Sequence, residues 1–122
     1  MRFFGESIPC GVDLDGLREE WTASGLLDVM DEIVETFIED TRDQLAILRG
    51  LAQAGDCDKA SKIGHSLRSS AGSLRATRLA ELCKDIEFAG RAGDTESVRA
   101  LVASASAEFA IVRTDLSFGL AA

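Results

Sequence analysis

Proline, tyrosine and histidine are scarce here, with one, none and one in 122 residues. The lone proline, Pro9, lies near the amino terminus, so nothing beyond it forbids a helix. One histidine, His65, and three cysteines without metal-type spacing cannot supply the converging ligands of a zinc site. Nor do they supply the second histidine or strand-borne elbow of a thiol or serine hydrolase. No glycine-rich phosphate loop or βαβ pattern is present, so ATP binding and self-phosphorylation are not expected. No apolar run is long enough to cross a bilayer, and the opening Met1-Arg2-Phe3-Phe4 is too brief for a signal peptide. An odd number of cysteines (Cys10, Cys57 and Cys83) with no secretory signal fits a reducing cytoplasm. Positive charge is short as well. Thirteen Lys and Arg against 21 Asp and Glu leave a net charge of −8, which argues against nucleic acid or an anionic membrane as partner.

What is abundant is apolar residues at helical spacing, 46% of the chain. Residues 1–12, with Gly5, Pro9 and Gly11, read as an irregular lead-in or linker whose Phe3, Phe4 and Ile8 pack on the helices beyond it. Asp13 caps a short helix through Leu14, Leu17 and Trp21 that ends near Ser24-Gly25, with Trp21 as a packing anchor. A long amphipathic helix spans Leu26 to Ala54, with seven carboxylates from Asp28 to Asp43 on its solvated side. Ala54-Gly55-Asp56 and Ala92-Gly93-Asp94 repeat one stop-and-restart signal: glycine closes a helix and aspartate caps the next. Between them lie a helix over 58–76 and another from Thr77 to Arg91. The last helix runs from Thr95 to about Leu116, and residues 118–122 form a tail. Short connections make neighbouring helices antiparallel. An all-α, antiparallel four-helix bundle over residues 13–117, with a short additional amino-terminal helix, is the expected fold. Apolar residues outside its core are too few to argue for dimerisation, so a monomer is expected.

In the helix over 58–76, Ala60, Ile63, Leu67, Ala71 and Leu74 form the apolar stripe. At about 100° per residue, His65 points roughly 160° away from the middle of that stripe, into solvent. Ser61, Arg68, Ser69 and Gly72 stack on the same face, three, four and seven residues away. Three of the four are small, so the imidazole protrudes from a low surface that another protein's pocket could close over. Arg68, and Arg75 seven residues on, place guanidinium groups on its flank, and guanidinium recognises phosphate with several directed donors. Between Lys59 and Arg78 the local charge turns positive, which suits a partner whose own site is a carboxylate cluster. Neutral imidazole is a nucleophile near pH 7, and phosphoryl transfer asks a protein mainly for positioning and charge neutralisation.

The run His65-Ser66-Leu67-Arg68-Ser69-Ser70-Ala71-Gly72-Ser73-Leu74, followed by Leu79, Leu82-Cys83 and Ile86-Glu87, resembles the histidine-containing phosphotransfer (HPt) domain family of phosphorelays. The likeness extends from about Gly25 to about Leu116. It implies that His65 accepts a phosphoryl group from a receiver-domain aspartate and passes it to another receiver. Arg68 takes the place of the phosphate-stabilising lysine, and Ser69 the small-residue position. Ser61, Gly72 and Arg75 would complete the docking face. Partners would be receiver domains of response regulators, or a hybrid sensor histidine kinase. Mg²⁺ would belong to the receiver, leaving this chain without a cofactor or metal of its own. Two positions depart from the family pattern: Ser69 and Arg75 stand where glycine is usual. If position 75 needs a positive φ at a helix end, a non-glycine residue is strained there by about 1 kcal/mol. The departures leave a rival reading, a helical adaptor that docks a receiver or kinase without accepting phosphate.

Overall fold

The computed structural model describes residues 8–119; Phe3 and Phe4, expected to pack on the bundle, and the last three residues of the expected tail lie outside them. Asp13 accepts a hydrogen bond from the Gly16 N–H and opens α1, Leu14–Ala23. Gly25, at φ 73°, then turns the chain, and the Leu26 N–H returns to the Trp21 carbonyl at 2.8 Å. The long second helix therefore does not begin at Leu26 as expected. Leu27–Val29 form a single 3₁₀ turn, and α2 runs over Met30–Ala54. Neither Leu26 nor Val29 offers a capping side chain, so the helix starts without the sharp boundary seen at its other end.

The two repeated turns form as their sequence predicts. Gly55 and Gly93 take left-handed conformations at φ 75° and 70°. Asp56 accepts from the Lys59 N–H to open α3, Cys57–Ser73. Asp94 accepts from the Ser97 hydroxyl and N–H at the start of α5, Thr95–Gly119, and those two bonds hold its carboxyl below the usual range. The helix α4 between them spans Thr77–Arg91. Two ends differ from expectation: α3 stops at Ser73 rather than continuing to Ala76, and α5 continues to Gly119.

Helices α2, α3, α4 and α5 close a ring in which each packs on the next and α5 returns to α2, the α3–α4 interface being the largest. This is the all-α, antiparallel four-helix bundle, with α1 packed against α5 and the 3₁₀ turn. Its core is drawn from every helix, including Leu17, Trp21, Leu45, Leu48, Leu67, Leu79, Ile86, Val98 and Val112. Each fully buried leucine or isoleucine contributes roughly 1.5–3 kcal/mol to folding. Phe37 of α2 meets Phe109 of α5 edge to face, with ring centroids 6.4 Å apart. Cys83 is fully buried, and burial pushes its thiol up to about 12.

Two interior glycines bring α3 and α4 unusually close. A Cβ at Gly64 would lie 2.9 Å from the Cys83 carbonyl oxygen and 3.0 Å from the Glu87 nitrogen; one at Gly90 would lie 2.7 Å from the Cys57 carbonyl oxygen. Glycine inside a helix costs about 1 kcal/mol relative to alanine. Here it permits backbone-to-backbone approach along the side of α3 that carries the histidine.

Candidate functional site

His65 lies midway along α3 and its side chain is 62% exposed, as the helical periodicity requires. It does not stand alone in solvent. The approach permitted by Gly64 and Gly90 sets Glu87 of α4 beside it, and His65 Nδ1 lies 3.0 Å from Glu87 Oε2. Glu87 is 2% exposed, so its charge has to be met by neighbouring groups rather than by water. Three such groups are present. His65 and the guanidinium of Arg91, one turn along α4, bond Oε2, and Arg68 Nη1 donates to Oε1 at 2.9 Å.

Burial pushes the Glu87 carboxyl upward, but the His65 hydrogen bond and the charges of Arg91, His65 and Arg68 outweigh it and hold the group below its ordinary value. Glu87 is thus a carboxylate near neutral pH and can only accept. It follows that Nδ1 carries the ring proton and donates it, which leaves the lone pair of neutral imidazole on Nε2.

The remaining residues of the expected face divide. Ser69 and Gly72 are exposed, and a Cβ at Gly72 would meet nothing within 4 Å, so this stretch is open as expected and Gly72 is not a packing glycine. Ser61 is not on the docking face. It is 6% exposed, its hydroxyl donates to the Asp58 carbonyl, and its backbone and Cβ meet the α4 backbone at Gly90. Helical spacing placed it one turn before His65, but α4 crosses α3 there. Arg75 is displaced for a different reason. Because α3 ends at Ser73, the seven-residue relation to Arg68 is broken, and Arg75 takes φ 55° in the turn. Its side chain pairs with Asp13 at 3.2 Å and Glu20 at 3.3 Å, turning toward α1. The anticipated strain is real, and its guanidinium acts as a tie between α1 and the α3–α4 turn.

Sequence alone assigned no role to Glu87 or Arg91. The signal was available in the two helix-interior glycines, which mark a close helix crossing, and in the i, i+4 pairing of Glu87 with Arg91. Among the described residues, no three His, Cys, Asp or Glu side chains converge as a metal site. Nor, among those residues, is any helix long and apolar enough to cross a membrane.

Fold and site together define a four-helix bundle that offers one accessible, carboxylate-oriented histidine flanked by guanidinium groups. The Hpt domain family model matches residues 32–116, and the chain belongs to that family. Its structure is similar to that of histidine-containing phosphotransfer protein B from Pseudomonas aeruginosa PAO1, with a TM-score of 0.83 and 28% sequence identity over 93% of this chain and 96% of that one. Comparison with curated protein sequences gives no match. The protein is a histidine phosphotransfer protein of a phosphorelay, a phosphocarrier that works with receiver domains.

Proposed function

We propose that His65 is the phosphoacceptor and that its Nε2 takes the group from a receiver-domain phosphoaspartate. Nε2 attacks phosphorus, the N–P bond forms as the P–O bond to the receiver's aspartate breaks, and that carboxylate leaves with the electron pair. The imidazole becomes cationic as the bond forms, and Glu87 stabilises that charge while keeping the proton on Nδ1. The same proton makes the ring a good leaving group when a second receiver's aspartate attacks. In that return step the electron pair goes back to Nε2. The observation that carries this reading is the pairing of an exposed ring with a buried carboxylate through Nδ1 alone.

Arg68, 39% exposed and one turn from His65, is the cation that meets the arriving phosphoryl oxygens. Ser69 contributes a small neighbour, and its hydroxyl is within the same exposed face. Gly72 keeps the surface low further along α3. Beside this face, a groove of about 530 Å³ lined by Ile33, Phe37, Gln44, Ser66 and Ser70 runs between α2 and α3 and supports the docking of another protein over α3. Mg²⁺ is supplied by the receiver, and this chain has no autokinase activity. It works as a cytoplasmic monomer; of its exposed large hydrophobics, Ile47, Phe88 and Ile111 lie on three different helices, apart from the Leu26, Leu27 and Val29 group at the 3₁₀ turn and from Phe118 near the end of α5.

The test is to incubate the protein with a phosphorylated receiver domain and follow acid-labile, base-stable label. Wild type should acquire it, and His65→Gln, folded by circular dichroism, should acquire none. Label persisting in His65→Gln would end the assignment, and no label on wild type with any cognate receiver would favour the adaptor.

A further inference from the structure

Arg68 has two demands upon it. In the resting protein it is bonded to the buried Glu87, yet the phosphoryl group on His65 requires it as counter-ion. A buried carboxylate that loses its cation is strongly disfavoured, so Arg68 can leave only if another positive group stays behind.

We infer that Arg91 is that group: a positioning residue, the standing counter-ion of Glu87, whose presence releases Arg68 to the phosphoryl group. This rests on His65 being the phosphoacceptor. Arg91 and Arg68 hold different oxygens, Oε2 and Oε1, so Arg68 can depart without disturbing the bond that remains. Arg91 is the more exposed of the two, 61% against 39%, but it has support from its own helix. It lies on the same helix as Glu87, four residues on, and its guanidinium carbon sits 5.9 Å from the centroid of the Phe88 ring, which holds the cation over the aromatic face. Arg68 reaches Glu87 from the neighbouring helix, and only its Nη1 is engaged there. When the phosphoryl group arrives, two negative charges appear on the exposed side of the imidazole. Arg68 turns outward to them, while Arg91 and the Nδ1 proton keep Oε2 bonded. On transfer to the next receiver, Arg68 returns to Oε1. Arg91 thereby acts on the phosphoryl group only through Glu87.

That indirectness can be measured. Transfer from a phosphorylated receiver, and the lifetime of the isolated phosphohistidine, are followed in wild type, Arg91→Ala, Glu87→Gln and the double variant. Arg91→Ala should slow transfer by roughly tenfold or more and shorten the lifetime, because Arg68 is then held at Glu87. In the Glu87→Gln background the same replacement should change neither, since a neutral amide needs no counter-ion and still accepts from Nδ1–H. An equal loss in both backgrounds would mean that Arg91 touches the phosphoryl group or the receiver directly, and would overturn the inference. No loss in Arg91→Ala alone would overturn it too. Because Arg91 is exposed, its removal should leave the fold intact. Failure of the underlying assignment looks different: His65→Gln would then accept label, whatever residue 91 is.

Discussion

Glu87 and Glu108 are the two buried carboxylates among the described residues, 2% and 3% exposed, and they differ in what satisfies them. Glu108, on α5, accepts the Gly11 N–H at 2.6 Å and has Arg78 at 3.8 Å. Together with Asp115, which accepts the Val12 N–H, it fastens the segment before α1 to the last helix. Glu87 accepts from no backbone group; its contacts are the side chains of His65, Arg68 and Arg91, each with substantial exposure. A carboxylate spent on a fixed backbone donor stabilises one arrangement. One surrounded by side chains that can move, titrate or accept a covalent group is poised for a change of state. Burial alone does not separate the two, whereas the identity of the donors does.

The largest effect should come from Glu87→Ala. His65 loses the partner that sets its tautomer and supports its developing charge, and transfer should fall by about a hundredfold, at the low end for a positioned proton-holding group. Rapid-quench transfer from a phosphorylated receiver measures it. Because this replacement also empties a buried position, the rate is read per folded molecule. A transfer rate within a factor of about three of wild type would remove Glu87 from the chemistry.

Glu108→Ala is the opposite case. The Gly11 N–H loses its acceptor and Arg78 a nearby carboxylate, and stability should fall by roughly 1–3 kcal/mol, the usual penalty of a buried donor left without a partner. Transfer per folded molecule should stay at the wild-type rate. Chemical denaturation and the transfer assay on one preparation decide it, and a slowed transfer at full foldedness would break the distinction drawn between the two carboxylates.

Much of this was legible in the sequence, for identifiable reasons. The helices follow from apolar spacing, and Gly55-Asp56 and Gly93-Asp94 signal their junctions by local backbone chemistry that no tertiary contact has to decide. His65 could be placed in solvent because the angle from Leu67 and Ala71 is a property of one helix. What escaped were relations between helices. Ser61 and His65 share a face of α3 by spacing, yet α4 covers one and leaves the other open, since Gly90 opposes Ser61. Glu87 looked like the polar end of a motif until Gly64 brought its helix within reach of His65. Arg75 was assigned to the helix face because its left-handed turn, supported by Asp13 and Glu20 some 55 to 62 residues away, cannot be seen locally.

The smallest expected effect concerns pH, and its sign comes from the direction of the Glu87 shift. The folded protein holds this carboxyl below its ordinary value of 4.5, so the native state binds the proton less readily than the unfolded chain does. Stability from this group is therefore fully present above about pH 4.5 and drains away as pH falls through the lower folded value. Glu87→Gln has no such proton to take up. Wild type and Glu87→Gln compared by urea unfolding should therefore converge on acidification below pH 4.5, wild type losing the more stability of the two. The effect stays modest because the same burial that makes Glu87 dependent on His65, Arg68 and Arg91 also opposes its charge. Parallel pH profiles for the two proteins would mean that the three partners no more than balance desolvation, and that the carboxylate holds the imidazole without adding to the stability of the fold.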